Sequence, residues 1–308
     1  MEPVTWMDLS EMAFDNSISH KLDRLISASG ARDGLAEGMR VALKINTAEM
    51  GYEYGLRPAF IRTVVQAASR ITNNLSILCD GQRLVDYWKR SKGNTFMEVA
   101  SARGYSNETL GGHFVINGGF SGDEGDLFPC GSTESILGGV EVGTAICRSD
   151  ALWVLSHVTG HPLFGLSGAL LNGGFECLSG RARTRLLGGL SPYVFNGQGP
   201  DPEKLRDFHL KALESIHGVQ AAANGRVFYI NFLWDVTPQP EYYPFSEQPV
   251  VENLGFLVSR DPVALDTATS ELIAKQGHTP SGIDFAGVLT AAEEMGLGSR
   301  AYTLNRLS

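Results

Sequence analysis

The sequence predicts an α/β protein with a mixed, largely parallel sheet that is flanked by helices and has a glycine-rich, irregular centre. Residues 40–79 show a strand, a helix and a second strand in succession, which is typical of a βαβ unit. Two later helices each begin at an Asp-Pro pair, at Asp201 and at Asp261. Glycine accounts for 36 of the 308 residues. This share exceeds the usual value of about 7%, which indicates many tight turns.

The elements of the first half follow from local patterns. Residues 17–29 carry apolar side chains at helical spacing, and Gly30 is placed to end that helix. Residues 40–46 alternate as a strand does. Pro58 begins a helical pattern, and the apolar residues 75–79 form the next strand.

The second half adds two helices and several strands. The helices run from Asp201 to about His217 and from Asp261 to about Gly277. The predicted strands are residues 114–117, 140–146, 150–156, 226–233 and 254–258. Since the chain has no repeat, charge block or long linker, we expect a single α/β domain over residues 1–308. An alternative division has two lobes, at about 1–150 and 151–308.

Charge and composition limit the classes of partner. The chain has 25 Lys and Arg against 34 Asp and Glu, which gives a net charge of −9. This balance disfavours binding to nucleic acid or to an anionic membrane. We therefore expect a small-molecule substrate, and self-association into a homo-oligomer remains open.

A cytoplasmic location is expected from three features of the sequence. The first residues show neither a basic start nor an apolar stretch, so no secretory signal is visible. No apolar run is long enough for a membrane-spanning helix. The four cysteines form no C-x-x-C pair, which is typical of reduced thiols.

The sharpest chemical pattern is the segment Ser156-His-Val-Thr-Gly-His-Pro162, which follows a predicted strand. Histidine titrates near neutral pH, so His157 and His161 are candidate catalytic acid/base residues. The same two residues with Glu49 would suit a metal ion, although Pro162 disfavours helical geometry at His161. Alternatively, both rings hydrogen-bond to the loop backbone.

Polar residues also follow two other predicted strands. Lys44 and Asn46 end the first strand, and Asp80 follows the second. Ligands of open α/β sheets bind at the carboxyl ends of the strands, so we expect these groups to converge with the histidines. Lys44 is then a catalytic charge stabiliser, and Asn46 and Asp80 bind substrate. Alternatively, Lys44 is a surface residue with a packed stem.

Four further residues complete the predicted substrate site. Asn172 lies in a glycine-rich stretch, residues 164–174. Its glycines either present backbone N–H groups to an oxyanion or phosphate or allow close helix packing. Glu49 follows the first strand as a member of an ion-paired cluster. Asp266 either faces the crevice or favours its helix dipole. Tyr242 belongs to an aromatic stretch, residues 234–245, that either lines a pocket for a planar or polyketide-like substrate or packs as an ordinary loop.

Several of these spacings together resemble the domain of unknown function 362 family. The matching motifs are Lys44-x-Asn46 with Glu49, Arg57-Pro58, Asp80, Ser156-His-x-x-Gly-His161, Gly-Ala-Leu-x-Asn172, Tyr229-Ile-Asn-Phe232 and the segment from Gly255 to Asp266. The resemblance covers residues 41–273 and implies an α/β fold. The family is not assigned a general reaction, so the resemblance alone supplies no activity.

The resemblance also implies what this chain lacks. Many relatives carry an inserted ferredoxin-like segment with cysteine-bound four-iron clusters. That insert would fall between Arg185 and Ala212, where this sequence has no cysteine. Relatives commonly have a lysine at the position of Thr159, and a Cys-Asp-Cys triplet where this chain has Glu241-Tyr-Tyr243. An iron–sulfur cluster is therefore not expected.

Three functional hypotheses follow. The first is a cluster-free enzyme of biosynthesis or secondary metabolism that uses acid/base chemistry for isomerisation, cyclisation or dehydration, as an isomerase, cyclase or lyase without a cofactor. The second is an enzyme with one divalent metal ion held by His157, His161 and Glu49. The third is a non-catalytic binding protein derived from an iron–sulfur family.

Overall fold

The structure is a computed structural model that describes residues 1–82, 93–131, 135–191, 199–279 and 281–308. The strands are β1 (Glu2–Met7), β2 (Val41–Lys44), β3 (Ile77–Asp80), β4 (His113–Ile116), β5 (Gly125–Pro129), β6 (Gly139–Gly143), β7 (Ala151–His157), β8 (Thr159–His161), β9 (Gly165–Ser167), β10 (Val227–Leu233), β11 (Gly255–Ser259) and β12 (Tyr302–Leu307). The helices are α1 (Ile18–Ala28), α2 (Pro58–Thr72), α3 (Gly93–Ala102), α4 (Asn107–Leu110), α5 (Thr144–Cys147), α6 (Ala169–Gly173), α7 (Gly180–Leu187), α8 (Pro202–Ala222), α9 (Pro262–Ala274) and α10 (Phe285–Glu294).

Eight strands form one sheet in the order β12-β1-β11-β10-β7-β2-β3-β4. The strands β4, β3, β2, β7 and β10 are parallel to one another. β11 is antiparallel to both of its neighbours, β10 and β1, and β12 is parallel to β1. Only β11 therefore opposes the common direction, which confirms the predicted mixed, largely parallel sheet. Strands from both halves of the chain take part in it.

The two faces of this sheet are covered by different helices, because successive side chains of a strand point to opposite sides. Leu43 and Leu155 lie on a face that packs against α1 and α2, which we call the α1 face. Ala42 and Val154 lie on the other face, which packs against α6, α8 and α9 and which we call the α6 face. Burial of both faces explains the continuous apolar runs of β2, β7 and β10.

The two Asp-Pro helix starts are confirmed. The Asp201 carboxylate accepts hydrogen bonds from the backbone N–H of Glu203 at 2.9 Å and of Lys204 at 3.2 Å. The Asp261 carboxylate accepts one from Ala264 at 2.8 Å. Each aspartate thus satisfies N–H groups that a helix cannot pair internally.

One predicted strand is wrong in its second half. Residues 140–146 were expected to be extended throughout, but the strand β6 ends at Gly143 and the short helix α5 follows. The Thr144 hydroxyl donates to the Glu124 carbonyl at 2.8 Å and fixes this change of direction. The apolar run did not distinguish a strand from a buried helical turn.

Two further predictions concern a missing insert and the absence of a membrane-spanning helix. The stretch between Arg185 and Ala212, where an insert is expected to be missing, includes residues 192–198, which lie outside the described residues. The missing insert therefore stays a prediction. In the described ranges, no helix combines the length and apolar character that a bilayer crossing needs.

Candidate functional site

Lys44 ends β2 and its side chain is fully buried. The Nζ atom lies 3.2 Å from Asp80 Oδ1 and donates to the Ile45 carbonyl at 2.7 Å. An ammonium group has three N–H donors. Within the described part of the chain, two of them are accounted for by these contacts, and the third has no acceptor.

Asp80 ends β3 and is held as the counter-ion of Lys44. Its Oδ2 accepts hydrogen bonds from the backbone N–H of Thr47 at 2.8 Å and from the Thr47 hydroxyl at 2.7 Å. Its Oδ1 accepts one from the Gly81 N–H at 2.8 Å. Hydrogen bonds of this kind favour the ionised carboxylate. Asp80 is thus placed to position the Lys44 ammonium.

A chain of hydrogen bonds continues from the end of β4 to α6. The Asn117 amide donates to the Cys177 carbonyl at 2.8 Å, and the Cys177 thiol donates to the Asn172 carbonyl at 3.0 Å. Burial raises the pKa of Cys177 to about 12, against the opposing effect of the Lys44 charge. The thiol therefore stays protonated. We call Lys44, Asp80, Asn117, Asn172 and Cys177 the lysine cluster.

The lysine cluster contains buried amide oxygens without a partner. Across the described residues, neither Asn117 Oδ1 nor Asn172 Oδ1 accepts a hydrogen bond, and the same is true of Asn46 Oδ1 two residues beyond Lys44. Buried polar atoms are nearly always paired in folded proteins. Such atoms beside a buried ammonium mark this region as a candidate binding site.

Asp266 performs a different task from the predicted one of facing a crevice. Its carboxylate accepts the backbone N–H of Ala169 at 2.8 Å and of Leu170 at 2.9 Å, and the Asn231 amide at 2.8 Å. It therefore caps α6 from the neighbouring helix α9, and it occupies two backbone N–H groups of the glycine-rich stretch, those of Ala169 and Leu170. Burial raises the pKa of Asp266 to about 6, against these hydrogen bonds.

His157 ends β7, and both of its ring nitrogens are bonded. Nδ1 lies 3.0 Å from Glu241 Oε1, and Nε2 lies 2.8 Å from the Trp234 carbonyl. Because a carbonyl oxygen only accepts, Nε2 carries a proton. Burial lowers the pKa of His157, but the hydrogen bond and charge of Glu241 outweigh it, so the pKa is raised overall. This geometry describes an imidazolium–carboxylate pair.

His161 is fixed in the opposite protonation state. Its Nδ1 accepts backbone N–H groups from Leu163 at 3.3 Å and from Phe164 at 3.0 Å. The proton of the neutral ring therefore lies on Nε2, 3.1 Å from the Tyr242 hydroxyl. We call His157, Glu241, His161 and Tyr242 the histidine cluster.

The structure directs Lys44 and His157 to opposite faces of the sheet. Lys44 is in register with Val154, so it points to the α6 face. His157 lies two positions after Leu155 on the same strand, so it points to the α1 face as Leu155 does. Strand geometry therefore directs these two side chains away from each other, whereas the sequence analysis expected them to converge.

Two other predicted site residues join the histidine side. The Glu49 N–H donates to the Glu241 carbonyl at 2.9 Å, and the Glu49 carboxylate accepts from the Met50 N–H at 2.7 Å. Tyr242 is buried against His161, and its neighbour Tyr243 lines a cavity of about 400 Å³ with Pro162, Pro238 and Pro240 among its walls.

The residues do not fit the alternative metal site. Both nitrogens of His157 and of His161 are engaged in hydrogen bonds. Among the residues with described positions, no three His, Cys, Asp or Glu side chains are grouped to hold a metal ion. The four free cysteines fit an iron–sulfur cluster no better, since such a cluster needs several thiolates together.

Sequence reasoning did not predict the contacts of three further buried residues. Glu241 lies 84 residues from its partner His157. The Asn231 amide donates to Asp266 at 2.8 Å and to the Thr269 hydroxyl at 3.0 Å. Arg183 is buried and pairs with Glu176 at 3.1 Å. The motif Tyr229-Ile-Asn-Phe232 contained the one available signal, a polar residue inside an apolar strand.

The fold and the lysine cluster define an α/β protein with a buried polar centre at the carboxyl edge of a parallel sheet. A family model described as Domain of unknown function (DUF362) matches residues 41–271, most of the chain. The chain belongs to this family, which confirms the resemblance seen in its motifs.

Two solved structures are similar to this chain at low sequence identity. The lactate racemase apoprotein from Thermoanaerobacterium thermosaccharolyticum is 14% identical, with a TM-score of 0.46 over 90% of this chain and 58% of that one. A structural genomics protein from Thermotoga maritima is 12% identical, with a TM-score of 0.38 over 92% of this chain and 59% of that one. The chain thus spans less than two thirds of either protein. No curated protein matches it.

Proposed function

We propose that the protein is an enzyme that carries out acid/base chemistry on a small organic molecule at the lysine cluster, without an iron–sulfur cluster. The observation that carries this proposal is the buried Lys44–Asp80 ion pair at the carboxyl ends of β2 and β3. Ligands of open α/β sheets bind at this edge. Buried charged groups in such a place are candidates for catalysis.

The proposed step is the enolisation of a carbonyl compound, which is the first half of an isomerisation. The third N–H of Lys44 donates its proton to the carbonyl oxygen, so an O–H bond forms as an N–H bond breaks. The resulting neutral amine then takes a proton from the adjacent carbon. The C–H bonding electrons form the C=C bond, and the C=O π electrons become a lone pair on the enol oxygen. Lys44 returns to its ammonium form, which Asp80 stabilises.

This proposal changes the roles first expected of the histidines. His157 pairs with Glu241 and the Trp234 carbonyl, so it holds the loop after β10 against the sheet. His161 and Tyr242 are bonded to each other and belong to the same loop contact. Asn172 and Asn46 present acceptor oxygens for the substrate, while Asp266 supports α6.

The cellular setting is part of the proposal. All four cysteines are free, which favours a reducing compartment such as the cytoplasm. A small organic substrate, with no nucleic acid or membrane partner, fits the acidic net charge of −9. Self-association stays a prediction that a molecular-mass measurement in solution can test.

The test is deuterium incorporation. Purified protein is incubated in D₂O with an extract of small metabolites from the producing cell, and the mixture is compared by mass spectrometry with a protein-free control. We expect at least one compound to gain deuterium with the wild-type protein and not with the double variant Lys44→Met/Asp80→Asn. The double variant removes both charges and leaves no unpaired ion in the core.

Three results contradict the proposal. Equal incorporation with the wild-type protein and the folded double variant would mean that Lys44 moves no proton. Incorporation in neither, together with retention of a compound by the wild-type protein, would support a non-catalytic binding protein. Activity that is lost on chelation and restored by one divalent metal ion would support the metal-dependent alternative.

A further inference from the structure

A row of unpartnered oxygen atoms crosses the α6 face beside Lys44. Ser156 on β7 is in register with Asn231 on β10, so their side chains are neighbours on this face. Both residues are fully buried, as is Asn172 on α6. Within the described ranges, Ser156 Oγ, Asn231 Oδ1 and Asn172 Oδ1 have no hydrogen-bond partner. We call Ser156, Asn172 and Asn231 the acceptor row.

The helix α6 lies directly over these strands. A Cβ atom on Gly173 would approach the Tyr229 ring of β10 to 2.5 Å, so glycine is what allows the helix to come this close. Asp266 joins both layers, because it caps α6 and accepts from Asn231. The three members of the acceptor row therefore belong to one layer between the sheet and α6.

The surrounding contacts settle which amide atoms are oxygen. The Asn231 nitrogen donates to the Asp266 carboxylate at 2.8 Å, and a reversed amide would place oxygen against oxygen there. The Asn172 nitrogen donates to the Gly168 carbonyl at 2.9 Å, which excludes reversal for the same reason. The unpartnered atoms are therefore acceptors, and Ser156 adds a hydroxyl that both donates and accepts.

The charges around the row decide which ligand fits it. Lys44 points to the same face and disfavours a second cation close by. The nearby carboxylates of Asp80 and Asp266 already accept several hydrogen bonds each. A divalent cation prefers carboxylate ligands. Neutral hydroxyl groups, in contrast, supply the donors that amide oxygens lack.

We propose that the acceptor row binds the hydroxyl groups of a neutral, polyhydroxylated part of the substrate. This inference rests on the proposed function, since it places the reacting carbonyl at Lys44 and the hydroxyl groups along Ser156, Asn172 and Asn231. It departs from the planar or polyketide-like substrate that the aromatic stretch suggested. Asn46, after the adjoining strand β2, extends the row toward Lys44 with a further unpartnered oxygen in the described structure.

The experiment uses glycerol, erythritol, xylitol and myo-inositol as probes, with binding followed by saturation-transfer NMR titration. Saturable binding is the readout because polyols also stabilise folded proteins by exclusion from their surface. Ser156→Ala removes the hydroxyl of the row. Ser76→Ala is the matched control, since Ser76 is also buried and its hydroxyl has no partner in the described part of the chain, but it precedes β3 at the opposite sheet edge.

We expect at least one polyol to bind saturably to the wild-type protein. A lost hydrogen bond of ordinary strength corresponds to a Kd about tenfold higher for Ser156→Ala, and we expect no change for Ser76→Ala. The inference is overturned if no probe saturates, if both variants bind alike, or if Na⁺, K⁺ or Mg²⁺ displaces the polyol.

This result is independent of the deuterium test. Polyol binding that depends on Ser156, without deuterium incorporation, would contradict the proposed enzyme and retain the acceptor row. Deuterium incorporation that depends on Lys44, without polyol binding, would retain the enzyme and overturn the acceptor row.

Discussion

The two faces of the sheet carry polar clusters of opposite character. On the α1 face, each ring nitrogen of His157 has a hydrogen-bond partner, and His161 at the end of the adjoining strand β8 is equally well bonded. On the α6 face, the described residues leave one Lys44 N–H and several amide oxygens unbonded. The first arrangement is what a structural anchor requires, and the second is what a binding site requires.

This difference teaches that residue type alone did not predict which of the two clusters has incomplete hydrogen bonds. Two histidines in a loop were the sharpest pattern in the sequence, yet their hydrogen bonds are satisfied within the protein. Lysine and asparagine gave weaker patterns, but they lie where the hydrogen bonds are incomplete. The predictions below test this comparison.

The largest loss of stability is expected for the substitution Lys44→Met. The substitution leaves the Asp80 carboxylate buried without its counter-ion, which costs about 3–5 kcal/mol of the free energy of unfolding. Lys44→Met/Asp80→Asn is expected to recover most of this loss. Urea denaturation of the two variants checks the prediction, and equal stability of both would contradict the ion-pair account.

A smaller loss is expected for Asp266→Ala. The substitution leaves the Ala169 and Leu170 N–H groups and the Asn231 amide without their acceptor, at a cost of about 2–4 kcal/mol. The effect should be concentrated in α6 and should appear as faster amide hydrogen exchange there. Unchanged exchange in α6 would show that Asp266 is not its cap.

Asp266 also gives the stability a pH dependence of known sign. Burial raises its pKa from the ordinary value of 3.8 to about 6 in the folded protein, so the folded state binds more protons between these values. The contribution of Asp266 to the free energy of unfolding therefore falls as pH rises from about 4 to 6 and stays constant above that range. Denaturation at a series of pH values, compared with Asp266→Asn, measures this contribution.

Glu241→Gln is expected to lower the free energy of unfolding by about 2 kcal/mol, because it removes the charged acceptor of the His157 hydrogen bond.

The raised pKa of His157 makes the stability depend on pH in a second range. Its contribution is complete below the unfolded pKa of about 6.5 and is lost as pH rises through the folded value. Stability of the wild-type protein should fall in this window, whereas that of Glu241→Gln should not.

The smallest effect is expected for Ser156→Ala. The hydroxyl has no partner among the described atoms, so its removal should leave the free energy of unfolding unchanged or raise it by up to about 1 kcal/mol. A lower free energy of unfolding for Ser156→Ala in urea denaturation would mean that the Ser156 hydroxyl already has a structural partner.

The sequence predicted the βαβ unit, the Asp-Pro helix starts and the buried strands, because these depend on local patterns. It did not predict β1 and β12, which pair only after the chain ends meet. The sequence also placed polar residues at the ends of β2, β3 and β7 correctly. Their division between two faces depends on the register of Lys44 with Val154, which no local pattern specifies.

The capping of α6 also depends on contacts that no local sequence pattern specifies. Asp266 was predicted from its position after Asp261, but its partners Ala169 and Leu170 are 97 and 96 residues away. Glu241 was noted only as a replacement for a cysteine, and its pairing with His157 arises from the fold. The roles that the sequence did not predict are therefore those of residues whose partners are distant in the chain.

The most direct test of the central claim compares the two faces in one assay. Deuterium incorporation from D₂O into small metabolites is measured with the wild-type protein, with Lys44→Met/Asp80→Asn and with His157→Gln, each confirmed as folded by circular dichroism. We predict that the lysine-cluster variant loses incorporation, while His157→Gln keeps it within about twofold, well under the tenfold that 1.4 kcal/mol of barrier would produce. Loss with His157→Gln and retention with the lysine-cluster variant would contradict the account.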